Sequence, residues 1–307
     1  MRALREWCEY AGYVILSAGL RQLPVRAAHA LARGLARVFV RLDTGRMRTT
    51  RINLQVAFPD WTDARREAVA RASVEHAALN LVDFARSEAW DERELLEHVD
   101  LVGIEHYEKA RERGRGLFIL GAHMGNIELC VRRVSLAGVE QLVIGKPLGN
   151  ARLYARLQGS RERHGAELVD RDDAAVRMLR RLRKGGVVSV LNDHYGHRSR
   201  VLLVPFFGVR ASTYAGVGML AVRTGAAICP TYVIRDGEDH HTARILPEVE
   251  FERSGDRERD TEAATRACNA AYEQIIRAHP EQWMWAHRRF KHSPDLPPDL
   301  YRAGPPS

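Results

Sequence analysis

The chain has 307 residues, of which 45% are hydrophobic and 28% charged. That composition excludes a wholly disordered chain and a polytopic membrane protein, and the length buries a sizeable core without disulfides or metals. The balance of 47 basic against 39 acidic residues gives +8, and only Lys109, Lys146, Lys184 and Lys291 among the basic residues are lysines. Two readings of this arginine excess stand: a GC-rich genome, or a surface for nucleic acid, phosphate-bearing lipid or an acidic carrier protein. Cys8, Cys130, Cys229 and Cys268 form no CxxC pair, which fits a reducing compartment better than a disulfide scaffold.

Residues 1–98 read as a helical layer. Residues 10–20 are apolar and bounded by Glu9 and Arg21. Uncharged runs stop near a dozen residues, as in 211–222, well short of the roughly 20 that a spanning helix needs. Glu6 and Glu9 and the lack of a cleavage site argue against a signal peptide. The segment reads equally as a buried helix or as an interfacial helix in one leaflet. Helical spacing of apolar residues predicts helices over 26–42, with Pro24 near the start, over 63–86 and over 92–99.

The pattern changes near residue 100. Short apolar runs at 116–122, 141–145 and 186–192 read as buried strands. Residues 172–184, 212–223 and 261–279 read as helices, and 226–235 with 242–251 as a strand pair across Asp236 and Gly237. Strands alternating with helices predict an α/β sandwich with a helical N-terminal layer, forming a single globular unit with the 99–291 core. The proline-rich tail, 292–307, is expected to be loose.

Missing motifs narrow the chemistry. The chain has no GxSxG, GxGxxG or HExxH, and Gly145-Lys146 lacks the upstream glycine of a P-loop. The segment Gly121-Ala122-His123-Met124-Gly125-Asn126-Ile127-Glu128 places His123 at the carboxyl end of a strand, where open α/β sheets bind ligands. Glu128 falls in the first turn of the next helix. A neutral imidazole takes a proton from a hydroxyl, and a carboxylate on its other nitrogen fixes the tautomer. No serine or cysteine lies in this segment, so the activated hydroxyl is expected to be the substrate's own.

The stretch GAHMGNIEL closely resembles the HxxxxE block of the late lipid A acyltransferases, the lauroyl/myristoyl transferase family. Further similar pieces follow in the family's order over residues 10–291. They are Arg51-Ile52-Asn53-Leu54 with Ala57-Phe58-Pro59, Arg161 with Gly165, Asp170-Arg171, and Asp193 ahead of Val204-Pro205-Phe206-Phe207-Gly208 and Ala211-Ser212-Thr213. Thr224-Gly225-Ala226 with Pro230 comes next, and the most specific piece runs from Pro280 to Lys291 (PEQWMWAHRRFK).

The resemblance implies a glycerolphosphate-acyltransferase-like α/β fold on the cytoplasmic face of the inner membrane, attached peripherally or monotopically. It implies acyl transfer from acyl carrier protein to a glycolipid hydroxyl with no metal or redox cofactor. His123 is then the base and Glu128 orients it, while Arg161 or its rival Arg163 holds a phosphate or positions the acceptor. Asp193 and Asn126 line the substrate site. His194 stands where many relatives are expected to carry glutamine, and Ile127 where an aromatic is common. Coenzyme A as donor stays open, as do a phosphatidylinositol mannoside, an ornithine lipid or a lysophospholipid as acceptor. No zinc finger or RNP pattern supports nucleic acid.

Further readings concern single features. Asp193, His194 and His197 suggest a substrate-lining polar loop more than a metal site. His240 and His241 read as a solvated turn. Residues 204–208 read either as core or as the lining of an acyl channel. Trp283 and Trp285 read as core or as interfacial anchors. Arg177, Arg180, Arg181, Arg183 and Lys184 read as a solvated face or a carrier surface.

Overall fold

The computed structural model describes residues 2–42, 45–162, 165–170, 174–196 and 200–302. Four helices form the N-terminal layer: α1 (Arg2–Gln22), α2 (Val25–Arg41), α3 (Gly45–Ala57) and α4 (Asp63–Ser87). Thr62 caps α4 by accepting from the Arg65 amide, satisfying one of the amides that a helix start leaves orphaned. α5 (Glu92–His98) opens with a full capping box from Asp91 and Glu94.

A seven-stranded sheet follows. Its strands are β1 (Val99–Val102), β2 (Leu117–Gly121), β3 (Gln141–Gly145), β4 (Ala166–Asp170), β5 (Val187–Leu191), β8 (Ala227–Arg235) and β9 (His241–Ile245), in the order β1-β9-β8-β2-β5-β3-β4. Every pairing is parallel except β8 with β9. The fold is mixed α/β, as the sequence predicts.

Period-two alternation sends each strand's side chains to opposite faces. Phe118 and Leu120 join Val188, Ile228, Tyr272 and Trp283 in the largest core, under α9 (Ala174–Arg183), α10 (Gly216–Thr224) and α11 (Arg257–Ala278). Leu117 and Ile119 join Val187, Cys229 and Val134 on the other face, under α6 (Ile104–Arg111) and α7 (Ile127–Leu136). Burial on both faces explains why β2 reads as an unbroken apolar run.

Several expectations needed adjustment. β1, α6, α8 (Ala151–Glu162) and β4 have no counterpart among the expected elements, because each mixes charge into a weak apolar pattern. Residues 212–214 are not helical. They finish β7 (Val209–Tyr214), which pairs with β6 (Val201–Phe206) in a two-stranded hairpin. The turn between them puts Phe207 at φ 50 and Gly208 at φ 79, the double positive φ of a two-residue hairpin turn whose twist matches its strands. Phe207 tolerates that conformation with its ring packed on Phe58 at 5.3 Å and Trp285 at 6.2 Å. Residues 204–208 are therefore mostly core.

The segment 292–302 is not loose. Arg210 pairs with Asp295, and the Tyr301 hydroxyl donates to Asn53 Oδ1 at 2.5 Å while accepting from the Phe290 amide at 3.1 Å.

One buried polar hub ties the helical layer to the sheet. Asp83 on α4 accepts from His29 of α2 at 2.6 Å, from His241 of β9 at 3.1 Å and from Arg235 of β8. His241 is thus fully buried rather than solvated. Burial pushes the pKa of His29 down to about 4 and that of His241 to about 3, with Arg235 adding to both. Both rings are neutral near pH 7, and Arg235 is the cation that balances Asp83.

Candidate active site

β2 ends at Gly121 in the middle of the sheet, flanked by Leu191 of β5 and Thr231 of β8. Two residues on, His123 emerges from the carboxyl edge. The turn that follows needs glycine at one place. Gly125 has φ +60, and a Cβ there would stand 2.1 Å from the Val233 carbonyl oxygen, so no other residue fits without displacing β8. The strand-like segment after the 3₁₀ turn Pro280–Gln282 docks onto this loop. Met124 bridges Trp283, and the Met284 amide donates to the His123 carbonyl at 2.9 Å.

Asp193, two residues beyond β5, holds His123 at two points. Its Oδ1 takes the ring Nδ1 at 2.7 Å, and its Oδ2 accepts from the His123 backbone amide at 2.9 Å. The Trp283 indole donates to the same Oδ2 at 2.7 Å. Tyr272 of α11 braces both strand ends, donating to the Gly121 carbonyl at 2.9 Å and accepting from the Asn192 amide at 3.2 Å. Burial alone would raise the pKa of the Asp193 carboxyl, but His123, by charge and hydrogen bond, reverses this and holds it well below the usual carboxylate range. In the other direction, burial disfavours a charged His123, and the adjacent Asp193 outweighs it and raises the imidazole's pKa. Nδ1–H is assigned by this pairing. Nε2 then carries the free lone pair and makes no hydrogen bond among the described residues.

The carboxylate on His123 is therefore Asp193 and not Glu128. Glu128 points to α8, where Arg161 grips it with Nε at 2.8 Å and a second bond from Nη2. The reason is geometric. Glu128 sits in the first turn of α7, which runs away from the loop, whereas Asp193 lies just past the end of β5, the strand paired with β2.

Asn126 is the N-cap of α7. It accepts from the Leu129 amide at 3.4 Å and donates to the Asn80 carbonyl at 3.4 Å, so its side chain links the start of α7 to α4. Arg163 and His197 lie outside the described residues, as do Arg171 and Asp172.

His123, Asp193 and His194 bring three ligand-capable atoms within 4.8 Å of one another. Yet the His123 and His194 rings lie parallel, 3.6 Å apart, so their in-plane lone pairs do not converge on one point as a metal requires. Trp283 and Trp285 are each 1% exposed and belong to the core, not to a lipid interface. On α9, Arg177 pairs with Glu167 and Arg181 with Glu140, while Arg180, Arg183 and, just past the helix end, Lys184 are exposed.

A cavity of about 280 Å³ lies between the sheet and α7. Ala122 and Met124, the chain neighbours of His123, line it, together with Glu128, Arg161 and Lys146. The walls are otherwise mostly apolar, with Ile119, Val131, Val134, Val143 and Leu168 among them. Gln141 and Ser189 make a polar patch in the lining. Ser189 donates to Gln141 Oε1 at 2.5 Å, and Gln141 in turn donates to Ser135 Oγ at 2.7 Å.

Sequence reasoning did not anticipate the bonds of Trp283 and Tyr272 to this site. The block that contains Trp283 stood out as specific, but nothing in a linear pattern connects it to a loop some 160 residues earlier.

The family model for bacterial lipid A biosynthesis acyltransferases matches residues 1–292. The chain is 30% identical over 303 residues to the lipid A biosynthesis lauroyltransferase of Escherichia coli K12, covering 97% of this chain and 95% of that one. It is 26% identical over 253 residues to the palmitoleoyltransferase of the same organism, covering 82% and 80%. With that organism's myristoyltransferase it shares 24% over 290 residues, covering 94% and 88%.

Proposed function

This chain belongs to the bacterial lipid A biosynthesis acyltransferase family and is an acyltransferase, and we propose that it moves a fatty acyl chain from acyl carrier protein to a hydroxyl of a lipid A precursor, with His123 as general base. The observation that carries this reading is the His123–Asp193 pair beside an apolar cavity. His123 Nε2 takes the proton of the acceptor hydroxyl as its oxygen attacks the thioester carbonyl. The C–S bond then breaks, and the imidazolium returns its proton to the leaving thiolate. Asp193 stays ionised throughout and stabilises the imidazolium. No covalent acyl-enzyme is needed.

The cavity takes the acyl chain, with Gln141 and Ser189 forming a polar patch that hydrocarbon avoids. Glu128, Arg161 and Lys146 share the cavity wall, where charge suits a phosphorylated headgroup. Holding Arg161 in a fixed fork, Glu128 positions the acceptor rather than the base. The arginine-rich surface attracts an acidic carrier protein.

The enzyme docks on a membrane surface through α1 and α2. No described helix is long and apolar enough to cross a membrane. On α2 the small residues Ala28, Ala32 and Ala36 face inward, whereas Leu31, Leu35 and Val38 face out. On α1, Ser17 and Leu20 are buried while Leu4, Trp7, Ile15 and Leu16 are exposed. Large apolar residues facing outward beside the exposed Arg37 and Arg41 are the pattern of an interfacial helix on anionic lipid.

Lipid mass spectrometry of the source bacterium tests the reading, with the gene deleted and complemented by wild type or by His123→Ala. One acyl group is lost from lipid A and restored by wild type alone. Unchanged lipid A with an acyl group missing from another lipid would move the acceptor. No lipid change in any class would overturn the assignment.

A further inference from the structure

The His123 ring has more than its Asp193 edge held. The His194 ring lies flat against it, with centroids 3.6 Å apart and planes 8° from parallel. His287 covers the far face of His194 at 3.7 Å and 5°, and Tyr195 stacks on His287 at 5.0 Å. These rings come from three separate segments: the loop after β2, the loop after β5, and the stretch after the 3₁₀ turn. Asn53 of α3 fixes the far end by donating to the His287 carbonyl at 2.6 Å. The column thus runs from the helical layer to the proposed base.

Asp193 alone controls which nitrogen of His123 carries the proton and the direction of one ring edge. It does not stop the ring from tilting about that hydrogen bond. A flat neighbour in van der Waals contact does. The same neighbour also acts on charge. When His123 becomes an imidazolium, the electron-rich face of a neutral aromatic ring attracts it, whereas a second cation there would repel it.

We propose that His194, backed by His287, is a positioning residue that holds the His123 ring in register and stabilises its protonated form during acyl transfer. The proposal rests on His123 being the base. His194 stays neutral at working pH: burial drives its pKa down to about 3, with the charges of His123, His287 and Arg289 pushing the same way and only Asp193 opposing. Its Nε2 is buried without a hydrogen-bond partner among the described residues, and both faces of the ring are packed against other rings. Among the described residues, the other charged and titratable groups near the column are Arg289, Tyr272, Lys291 and His292, whose ring lies 6.0 Å from that of Tyr195. Arg289 and Tyr272 act on the Asp193 side, and Lys291 lies 5.6 Å from the Tyr195 ring centroid.

The experiment measures kcat, KM and the pH dependence of kcat/KM for full-length His194→Gln, His194→Phe, His287→Ala and His123→Ala, each checked for folding by thermal melting. His194→Gln removes the aromatic face. It lowers kcat roughly tenfold, leaves KM within about twofold, and moves the acidic limb of the profile down by about half a pH unit or more, because the imidazolium has lost a stabilising neighbour. His194→Phe keeps the face without hydrogen-bonding or titrating, and restores both quantities. His287→Ala gives a smaller loss of the same kind.

A His194→Gln enzyme with wild-type kcat and an unmoved limb would overturn the proposal. So would a His194→Phe enzyme as impaired as His194→Gln, since polarity and not the ring face would then matter. An active His123→Ala enzyme would instead overturn the assignment of the base.

Discussion

Replacing Asp193 with asparagine separates the two carboxylates by mechanism. The substitution keeps size and shape, so the outcome turns on how an amide fits among three donors. The position of Oδ2 receives the His123 amide at 2.9 Å and the Trp283 indole at 2.7 Å, both fixed N–H donors. An NH₂ group there would leave two buried donors facing a third, at about 1–3 kcal/mol for each unsatisfied group. The amide oxygen therefore takes that place, and the NH₂ faces His123 Nδ1. Nδ1 must now accept, which puts the ring proton on Nε2, the atom that should act as base.

Correcting the tautomer or flipping the amide costs several kcal/mol, so kcat should fall by about 10³- to 10⁴-fold, or about 4–5.5 kcal/mol in the barrier. The assay is mass-spectrometric acyl transfer from acyl carrier protein to a lipid A precursor, with thermal melting to confirm that the variant folds. An Asp193→Asn enzyme within tenfold of wild type would refute the reasoning, since Asp193 would then not set the tautomer.

Other outcomes follow from the same geometry. In the wild type, Asp193 raises the His123 pKa, so the neutral base is lost as pH falls, and the acidic limb of kcat/KM should lie above the ordinary imidazole value of about 6.5. Glu128→Gln should weaken use of the lipid acceptor by roughly tenfold or more, as a charge-assisted pair with Arg161 is lost, while leaving that limb in place; a moved limb would return Glu128 to the base. Ser189→Leu inserts apolar bulk into the cavity and should shift the preferred donor to a shorter chain, read by competition between acyl carrier proteins of different chain length. Asp83→Asn leaves Arg235 buried without its carboxylate and should destabilise the fold by about 3 kcal/mol or more, seen as a lower denaturation midpoint. Replacing Leu31, Leu35 and Val38 with serine should reduce co-sedimentation with anionic vesicles while the soluble fold melts normally.

The elements legible in the sequence were those with a strong local period. β2, β3 and β5 are buried on both faces, so their apolar runs announce them, and β3 matches its expected bounds at both ends. α2 and α4 show through helical spacing, and His123 shows because a strand end followed by glycines and a helix is a local pattern. Residues 212–214 misled because the hairpin's two-residue turn, Phe207-Gly208, has glycine at only one of its two positive-φ positions and so signals the turn weakly.

What the sequence could not determine was which distant groups meet. Spacing suggested Glu128 for the ring of His123, five residues away, but the nearer residue in the chain is carried off by a helix. Parallel β2 and β5 instead bring Asp193 to the same edge, 70 residues on. The stack of His194 and His287, the Trp283 indole on Asp193 and the Asp83 hub arise in the same way. Each joins segments whose only connection is the packing of the sheet against its helices. Local patterning fixes period and burial one element at a time, whereas partnership between side chains depends on register and strand order, and those exist only once the whole core has closed.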